Sequence, residues 1–273
     1  MLNKIAKYYD DSVEIEWSRL DKHPFEFEIT KRHINEFITC KSKILDIGGG
    51  PGRYSFYYAE KNHEVTLVDL SPKNIAYAND KQKELGIKLH NTYVGNAIDL
   101  SFLQSNSFDV VLCMGPLYHL VNEDDRLKVV QECKRVVKNN GIIVFSFITV
   151  MAQTISLLKR NSEKIEEWYE HLIKTINTGI NNPDFDTSFT EAYLIHPFEI
   201  EPFLNINDLE VLKLAGAEGF SNQNEEIILK LPKSKIEKWI DFNYKYSEDR
   251  SILGANQHII SVVKKKELTT AST

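Results

Sequence analysis

The fold of this chain is decided by the stretch Lys43-Ile44-Leu45-Asp46-Ile47-Gly48-Gly49-Gly50-Pro51-Gly52. A short apolar run is followed by an acidic residue and then by glycines at alternate positions, in the spacing D-x-G-x-G-x-G. Glycine is needed here because a Cβ would block both a tight strand-to-helix turn and the close approach of a ligand to the main chain. The stretch therefore predicts a strand, a turn and a helix, with a nucleotide-like ligand at the turn.

Two other phosphate-binding patterns do not fit. The dinucleotide fingerprint G-x-G-x-x-G, started at Gly48, requires glycine or alanine at position 53, where the chain has Arg53. The P-loop pattern G-x-x-x-x-G-K-[ST] occurs nowhere in the sequence. Neither of those two ligand-binding motifs is therefore indicated.

A second strand pattern, Val65-Thr66-Leu67-Val68-Asp69, also ends in a carboxylate, at about the offset of the ribose-binding acid of a doubly wound nucleotide fold. Short apolar strands and helical patterns alternate up to about residue 148, which is typical of a parallel sheet with helices on both faces. Strands are predicted at about 43–47, 64–69, 90–94, 108–114 and 141–148. Helix starts are predicted near Gly52, Pro72 and Asp124, and Asn139-Asn140-Gly141 is predicted to end the last of these helices.

The alternation stops after the fifth strand. From Met151 to about His196 an insertion is predicted, in which a long helical segment is followed by the polar turn Asn181-Asn182-Pro183-Asp184. Two further strands are predicted at Leu209 to Leu214 and at His258 to Val263. We expect one domain, 1–273, whose parts are an N-terminal helical lid (1–40), a cofactor-binding core (41–150), a substrate-cap insertion (151–196) and the rest of the sheet (197–264) with a helical insertion (221–256).

The glycine turn and its surroundings resemble motif I of the class I S-adenosylmethionine-dependent methyltransferases, in particular their small-molecule, ubiquinone-biosynthesis-like group. The resemblance implies an α/β, Rossmann-like seven-stranded fold with a mostly parallel sheet, helices on both faces and helical cap insertions. It also implies S-adenosyl-L-methionine as the cofactor, S-adenosyl-L-homocysteine as its product, and methyl transfer to a small-molecule acceptor by in-line displacement.

The resemblance also assigns cofactor-binding roles to individual positions. Asp69 would bind the two ribose hydroxyls, Leu70 would pack under the adenine ring, and either Tyr9 or Arg19 would reach the cofactor's carboxylate. Asn96 and Ala97 stand where the family has an acidic residue followed by alanine for the adenine amino group; Asp99 could replace Asn96, although a solvated turn is the favoured interpretation of Asp99. The methionine part would be lined by Asp46, Gly48, Gly49, Gly50, Gly52 and Met114.

Two side chains after the fourth strand, Tyr118 and His119, are the candidate catalytic residues. Methyl transfer from a sulfonium needs alignment, exclusion of water and sometimes one base, and His titrates near neutral pH. Packing and capping are equally good explanations for a Tyr-His pair at a strand end. The insertion adds aromatic side chains suited to an acceptor pocket, namely Trp168, Tyr169, His171, Phe185, Phe189, Tyr193 and His196.

Composition restricts the classes of partner. The net charge of -6, with Lys and Arg scattered along the chain, disfavours nucleic acid as a partner. The N-terminus lacks a signal-peptide pattern, no apolar run is long enough to cross a membrane, and three widely spaced cysteines suggest neither a disulfide framework nor a metal site. We therefore expect a cytoplasmic enzyme with no metal and no membrane partner. An RNA or protein methyltransferase, or a non-catalytic cofactor binder, remains the alternative.

Overall fold

A seven-stranded sheet forms the centre of the computed structural model, which describes residues 2–38, 41–182 and 190–266. The strand order is β3-β2-β1-β4-β5-β9-β8. The strands of this sheet are β1 (Lys43–Ile47), β2 (Glu64–Asp69), β3 (Asn91–Val94), β4 (Phe108–Cys113), β5 (Val137–Ile148), β8 (Leu209–Gly216) and β9 (His258–Lys265); β6 (Ile180–Asn181) and β7 (Ala192–Tyr193) form a separate pair.

The first five strands of the sheet are parallel, and β9 inserts antiparallel between β5 and β8. The chain runs outward from β1 through β2 to β3 and then returns to the other side of β1 with β4. This reversal of strand order leaves a crevice at the carboxyl ends of β1 and β4, which is where open α/β sheets bind ligands. The predicted Rossmann-like seven-stranded fold is confirmed.

Eleven α-helices surround the sheet in the described part of the chain. They are α1 (Leu2–Asp11), α2 (Val13–Lys22), α3 (Pro24–Asn35), α4 (Arg53–Glu60), α5 (Pro72–Leu85), α6 (Glu123–Val136), α7 (Ala152–Arg160), α8 (Ile165–Thr178), α9 (Pro197–Ile206), α10 (Glu225–Ile228) and α11 (Lys233–Tyr246). A short 3-10 helix, Pro116–His119, follows β4.

Helices cover both faces of the sheet because successive strand side chains point to opposite sides. In β4, Val110 and Leu112 belong to one buried apolar cluster, whereas Val111 and Cys113 belong to the other. All four side chains are at most 2% exposed. The near-continuous apolar runs in the sequence therefore reflect a sheet that is buried on both sides.

The predicted end of α6 differs from the structure. The helix ends at Val136, and Asn139 and Asn140 lie within β5. The pairing of β4 with β5 shifts register after Phe108, so β5 begins earlier than its apolar pattern suggests. At Gly141 a Cβ would lie 2.7 Å from the carbonyl oxygen of Asp109, so this glycine permits close packing of the two strands and does not end the helix.

The predicted long helical segment after residue 150 is two helices, α7 and α8, followed by the β6–β7 pair. Gly179 ends α8 in a left-handed conformation, with φ 70°. Within the described residues, no helix has the length and apolar character to cross a membrane. The proposed division of the chain into lid, core, cap and C-terminal part stays a prediction.

Candidate functional site

One cavity lies at the carboxyl ends of β1, β2 and β4. It is lined by every predicted site residue except Gly52. These lining residues are Tyr9, Arg19, Asp46, Gly48, Gly49, Gly50, Asp69, Leu70, Asn96, Ala97, Met114, Tyr118 and His119. The spacing along the chain therefore identified side chains that the fold brings together, whereas Gly52 lies just behind the wall as the N-cap of α4.

The glycine turn forms the floor of the cavity. Gly48, Gly50 and Gly52 have φ values of 64°, 57° and 95°, a left-handed conformation that other residues rarely adopt. A Cβ on Gly49 would lie 2.5 Å from Asp46 Oδ2, so the turn can fold over this carboxylate only without a side chain. The alternating glycines are thus required by backbone geometry, and Gly49 by the space that Asp46 occupies.

Asp46 supports the turn from below. It is 1% exposed, and its Oδ2 accepts a hydrogen bond from Ser55 Oγ at 2.7 Å. Burial raises the pKa of Asp46 to about 6, because the charged form loses its hydration. Asp46 therefore holds the turn in place and carries a proton over an unusually wide range of pH.

Asp69 connects the end of β2 to the glycine turn. Its Oδ2 accepts the N–H of Gly50 at 2.8 Å, and its Oδ1 accepts the N–H of Ser71 at 2.8 Å and the Nδ2 of Asn74 at 3.1 Å. Burial raises the pKa of this carboxyl, while those hydrogen bonds act in the opposite direction. A carboxylate offers about four acceptor positions, so about one remains for a ligand, on Oδ2. The expected contact of Asp69 to two ribose hydroxyls exceeds what this arrangement leaves open.

The end of the cavity where adenine is expected combines apolar and amide groups. Leu70 follows Asp69, and Asn96 and Ala97 lie opposite, after β3. Asn96 Oδ1 already accepts the N–H of Ile98 at 3.2 Å, which leaves its Nδ2 as the group that can contact a ligand. Asp99 is exposed, and its Oδ1 accepts the N–H of Ser101 at 3.0 Å, as the favoured turn interpretation predicts.

Helix α2 covers one side of the cavity and is fixed by two arginines. Arg19 binds Glu26 through both terminal nitrogens, at 2.7 and 2.9 Å. Burial of Glu26 opposes ionisation, but the Arg19 guanidinium lowers the pKa of this carboxyl to about 2. Arg19 therefore lines the cavity with its charge already paired, which weakens its expected role toward the cofactor's carboxylate.

Arg53, the residue that breaks the dinucleotide fingerprint, ties α2 to the start of α4. Its guanidinium donates to both Asp21 oxygens, at 2.6 and 3.0 Å, and to the carbonyl oxygen of Trp17 at 3.1 Å. It also lies 5.0 Å from the centre of the Trp17 ring. Arg53 thus fastens α2 directly beside the glycine turn.

The far end of the cavity contains Tyr118 and His119. The Tyr118 hydroxyl donates to the Met114 carbonyl at 3.1 Å. His119 is 6% exposed, and burial lowers its pKa to about 3, so the ring is neutral near pH 7. Its Nε2 is 2.6 Å from the Tyr9 hydroxyl, and its Nδ1 is 2.8 Å from Thr190 Oγ1. The Tyr9 hydroxyl therefore contacts His119, and its expected role at the cofactor's carboxylate stays a prediction.

Sequence reasoning missed several site residues. Glu16 and Leu20 line the cavity beside Arg19. Glu16 lies three residues before Arg19 and four before Leu20 on one helix, and this spacing is a signal that could have identified both residues. Thr190 carried no such signal, because it is a single polar residue in an irregular insertion.

The aromatic side chains of the insertion do not form the expected acceptor pocket in the described structure. Trp168, Tyr169, His171, Tyr193 and His196 are absent from the cavity wall, and Tyr169 is 55% exposed. Phe185 and Phe189 lie outside the described residues.

One group of potential metal ligands occurs among the described residues, Glu26, Glu218 and His258, with ligand atoms within 4.8 Å of one another. These atoms already have partners. Glu26 is held by Arg19, and both Glu218 oxygens accept the backbone N–H of His258. The group is accounted for as a buried ion-pair cluster that joins α3 to the start of β9.

Comparison with known proteins finds similarity over the core of the chain. Residues 45–145 match the model of a methyltransferase domain. A ubiquinone biosynthesis O-methyltransferase of Histophilus somni is 28% identical over 159 residues, which cover 57% of this chain and 62% of that protein. The match thus spans less than two thirds of this relative's length.

Solved structures share the fold over nearly the whole chain. An S-adenosylmethionine-dependent methyltransferase from Clostridium acetobutylicum has a TM-score of 0.57 and 16% identity, covering 97% of this chain and 98% of its own. A 1,6-didemethyltoxoflavin-N1-methyltransferase of Burkholderia thailandensis, in complex with its substrate and S-adenosylhomocysteine, has a TM-score of 0.57 and 13% identity, covering 97% and 87%. The fold class and the resemblance inferred from the glycine turn are confirmed.

Proposed function

We propose that this chain, whose core is a class I S-adenosylmethionine-dependent methyltransferase domain, transfers the methyl group of S-adenosylmethionine to a small-molecule acceptor. The observation that carries the proposal is the hydrogen bond from Gly50 N–H to Asp69 Oδ2, at 2.8 Å. It joins a side-chain-free turn, with its backbone amides, to a carboxylate at the neighbouring strand end. Both line the same cavity, so one adenosyl ligand can reach both.

The residues present fit the parts of this cofactor. The N-terminus of α4, directly after the glycine turn, suits its carboxylate, because the helix dipole and the first N–H groups of a helix favour an anion, whereas the N–H groups of Gly48 and Gly50 already donate to Val68 O and Asp69 Oδ2. Asp69 Oδ2 would accept one ribose hydroxyl, and Leu70 and Ala97 would enclose the adenine ring, with Asn96 Nδ2 donating to a ring nitrogen. When bound, the cofactor supplies an activated methyl group, and the protein has to align the acceptor and exclude water.

The charge-paired wall of the cavity favours a small acceptor over RNA or protein. Both arginines that line it are engaged, Arg19 by Glu26 and Arg53 by Asp21. A nucleic-acid site would offer unpaired cations to phosphates. The names of the relatives support the same class of acceptor, since one is an O-methyltransferase of ubiquinone biosynthesis and one methylates a nitrogen of 1,6-didemethyltoxoflavin. Placement in the cytoplasm stays a prediction.

Methyl transfer is tested by incubating the purified protein with methyl-labelled S-adenosylmethionine and a metabolite extract, and following label in small organic products. We expect labelled product, and we expect Asp69→Ala to lower the rate at limiting cofactor about 10- to 100-fold, because a hydrogen bond to a charged group is lost. The matched control is Asp99→Ala, which removes an exposed carboxylate outside the cavity and should leave the rate unchanged. Label found only in RNA or protein fractions would reject a small acceptor.

A further inference from the structure

Three side chains from distant parts of the chain form a hydrogen-bonded row at the end of the cavity. Tyr9 belongs to α1, His119 ends the 3-10 helix after β4, and Thr190 precedes β7. The Tyr9 hydroxyl is 2.6 Å from His119 Nε2, and His119 Nδ1 is 2.8 Å from Thr190 Oγ1. Tyr9 and His119 both line the cavity, so the row begins where an acceptor would lie.

The direction of these hydrogen bonds follows from Thr190. Its hydroxyl donates its single proton to the carbonyl oxygen of Glu191, at 3.2 Å. The Thr190 oxygen can then only accept from His119, which places a proton on Nδ1. In a neutral imidazole Nε2 is then an acceptor, so Tyr9 donates its O–H to it. This leaves the lone pairs of the Tyr9 oxygen to accept a hydrogen bond from a ligand in the cavity.

The cap insertion holds Thr190 in place. Asn181 Nδ2 donates to the Thr190 carbonyl at 3.3 Å, and Gln153 Nε2 donates to Asn181 Oδ1. Gln153 Oε1 in turn is 2.8 Å from His171 Nε2. Asn181, Gln153 and His171 are at most 7% exposed. Burying polar side chains is costly unless each of them has a hydrogen-bond partner. The series of hydrogen bonds that starts at α8 therefore fixes the position of Thr190 at its end.

We propose that Tyr9 is a catalytic residue that binds a hydroxyl group of the methyl acceptor, and that His119 takes up the acceptor's proton through Tyr9. Thr190 is a positioning residue that sets the tautomer of His119. This inference rests on the proposed function and names the class of acceptor as an alcohol or a phenol. A hydroxyl requires such a device, because oxygen must lose its proton when it is methylated. An amine that is bound in its neutral form can keep its protons when it is methylated, so the transfer step itself has less need of a base.

Methyl transfer to the acceptor oxygen forms one bond, breaks one bond and moves two protons. A lone pair of the acceptor oxygen forms the C–O bond while the C–S bond breaks and its electron pair stays on sulfur as a neutral thioether. The acceptor's proton passes to the Tyr9 oxygen as the Tyr9 proton passes to His119 Nε2. The imidazolium then releases its proton to water when the product leaves.

His119 is basic enough for this role despite its environment. Burial lowers its pKa to about 3, so it would not remove a proton from a free alcohol. The proton becomes far more acidic once the C–O bond forms, because the oxygen then carries positive charge. The site also gains no net charge, since the imidazolium appears as the positive charge of the sulfonium disappears.

The tautomer is measured directly by long-range 15N–1H NMR of the whole protein labelled at histidine, with the His119 signals identified by their loss in His119→Gln. At pH 7 we expect a neutral ring with the proton on Nδ1. Thr190→Val removes the acceptor of that proton and should shift the ring toward the Nε2–H form, whereas Thr190→Ser should keep the wild-type pattern. An Nε2–H or doubly protonated ring in the wild type overturns the proposal.

The catalytic part is measured with the labelled-methyl assay described above. Tyr9→Phe should lower kcat roughly 100-fold, the size of a typical acid–base contribution, with the Kd for S-adenosylhomocysteine changed less than about threefold. The matched control is Tyr8→Phe, which alters the neighbouring tyrosine outside the cavity wall and should keep the wild-type kcat.

The two proposals fail in different ways. Full kcat in Tyr9→Phe, with the cofactor product still bound, rejects the role of Tyr9 and leaves methyl transfer standing. Absence of S-adenosylhomocysteine binding in the wild type rejects the proposed function itself. The NMR measurement still gives the tautomer of His119 in that case. Calorimetric binding of S-adenosylhomocysteine by each variant shows that it is folded.

Discussion

At the scale of single residues, the site depends on carboxylates that are buried beside a glycine turn. Asp46 is 1% exposed and has Ser55 as its hydrogen-bond donor. Removing a carboxylate from water disfavours its charged form, and one hydroxyl donor compensates only part of that cost. The turn is therefore built over a group whose ionisation opposes folding.

This arrangement predicts a pH dependence that Asp46→Asn should remove. In the folded state the pKa of Asp46 is about 6, against its ordinary value of 3.8. A raised pKa means that the folded state holds the proton longer, so its contribution to stability is full below pH 3.8 and is lost as pH rises through 6. Between pH 4 and 7 we expect the free energy of unfolding of the wild type to fall by about 2–3 kcal/mol relative to Asp46→Asn.

Urea unfolding of both proteins at several pH values measures this difference. Asparagine keeps the oxygen that accepts from Ser55, so the packing is preserved and other titrating groups cancel in the comparison. Equal slopes of stability against pH in the two proteins would show that Asp46 ionises in the folded state as it does in the unfolded chain.

At the scale of secondary structure, Arg53 fastens helix α2, part of the predicted lid, to the start of α4. The guanidinium binds the Asp21 carboxylate and the Trp17 carbonyl, and it lies over the Trp17 ring. The Arg53 side chain is 18% exposed and the Asp21 side chain is 61% exposed, so solvent screens the ion pair from the Asp21 side.

Arg53→Met should loosen α2 without unfolding the sheet. We expect the amides of α2 to exchange with deuterium about tenfold faster and the affinity for S-adenosylhomocysteine to fall several-fold, because closing the lid would then cost more of the binding energy. Hydrogen exchange with mass spectrometry gives the first quantity. The control is Lys83→Met, which breaks the exposed Lys83–Asp80 pair on α5. It should change neither the deuterium exchange of α2 nor the affinity for S-adenosylhomocysteine. Unchanged exchange in α2 would mean that other contacts hold the lid.

The boundaries of the elements show what a sequence pattern can predict. The strands β1, β2 and β4 were located within a residue of their observed ends, because buried parallel strands are continuous apolar runs that end in turn residues. The junction of α6 and β5 was misplaced, since it depends on a register shift against β4 that leaves no trace in local composition.

At the scale of the whole molecule, the sequence predicted well which residues line the same cavity. It predicted less well which partners each of these residues contacts. Strand ends at one edge of a parallel sheet must lie together, so Asp46, Asp69 and His119 could be assigned to one site. The partners of His119 come from elsewhere. Tyr9 approaches from α1 and Thr190 from the segment before β7, and no periodicity or spacing encodes tertiary contacts of that kind.

The central claim is that the glycine turn and Asp69 bind an adenosyl sulfonium cofactor. Isothermal titration calorimetry of the full chain with S-adenosylhomocysteine tests it most directly, with NAD and ATP titrated in parallel. We expect one binding site per chain, a Kd in the micromolar range or tighter, and no comparable heat from NAD or ATP. Saturable binding of NAD or ATP by folded protein that takes up no S-adenosylhomocysteine would contradict it.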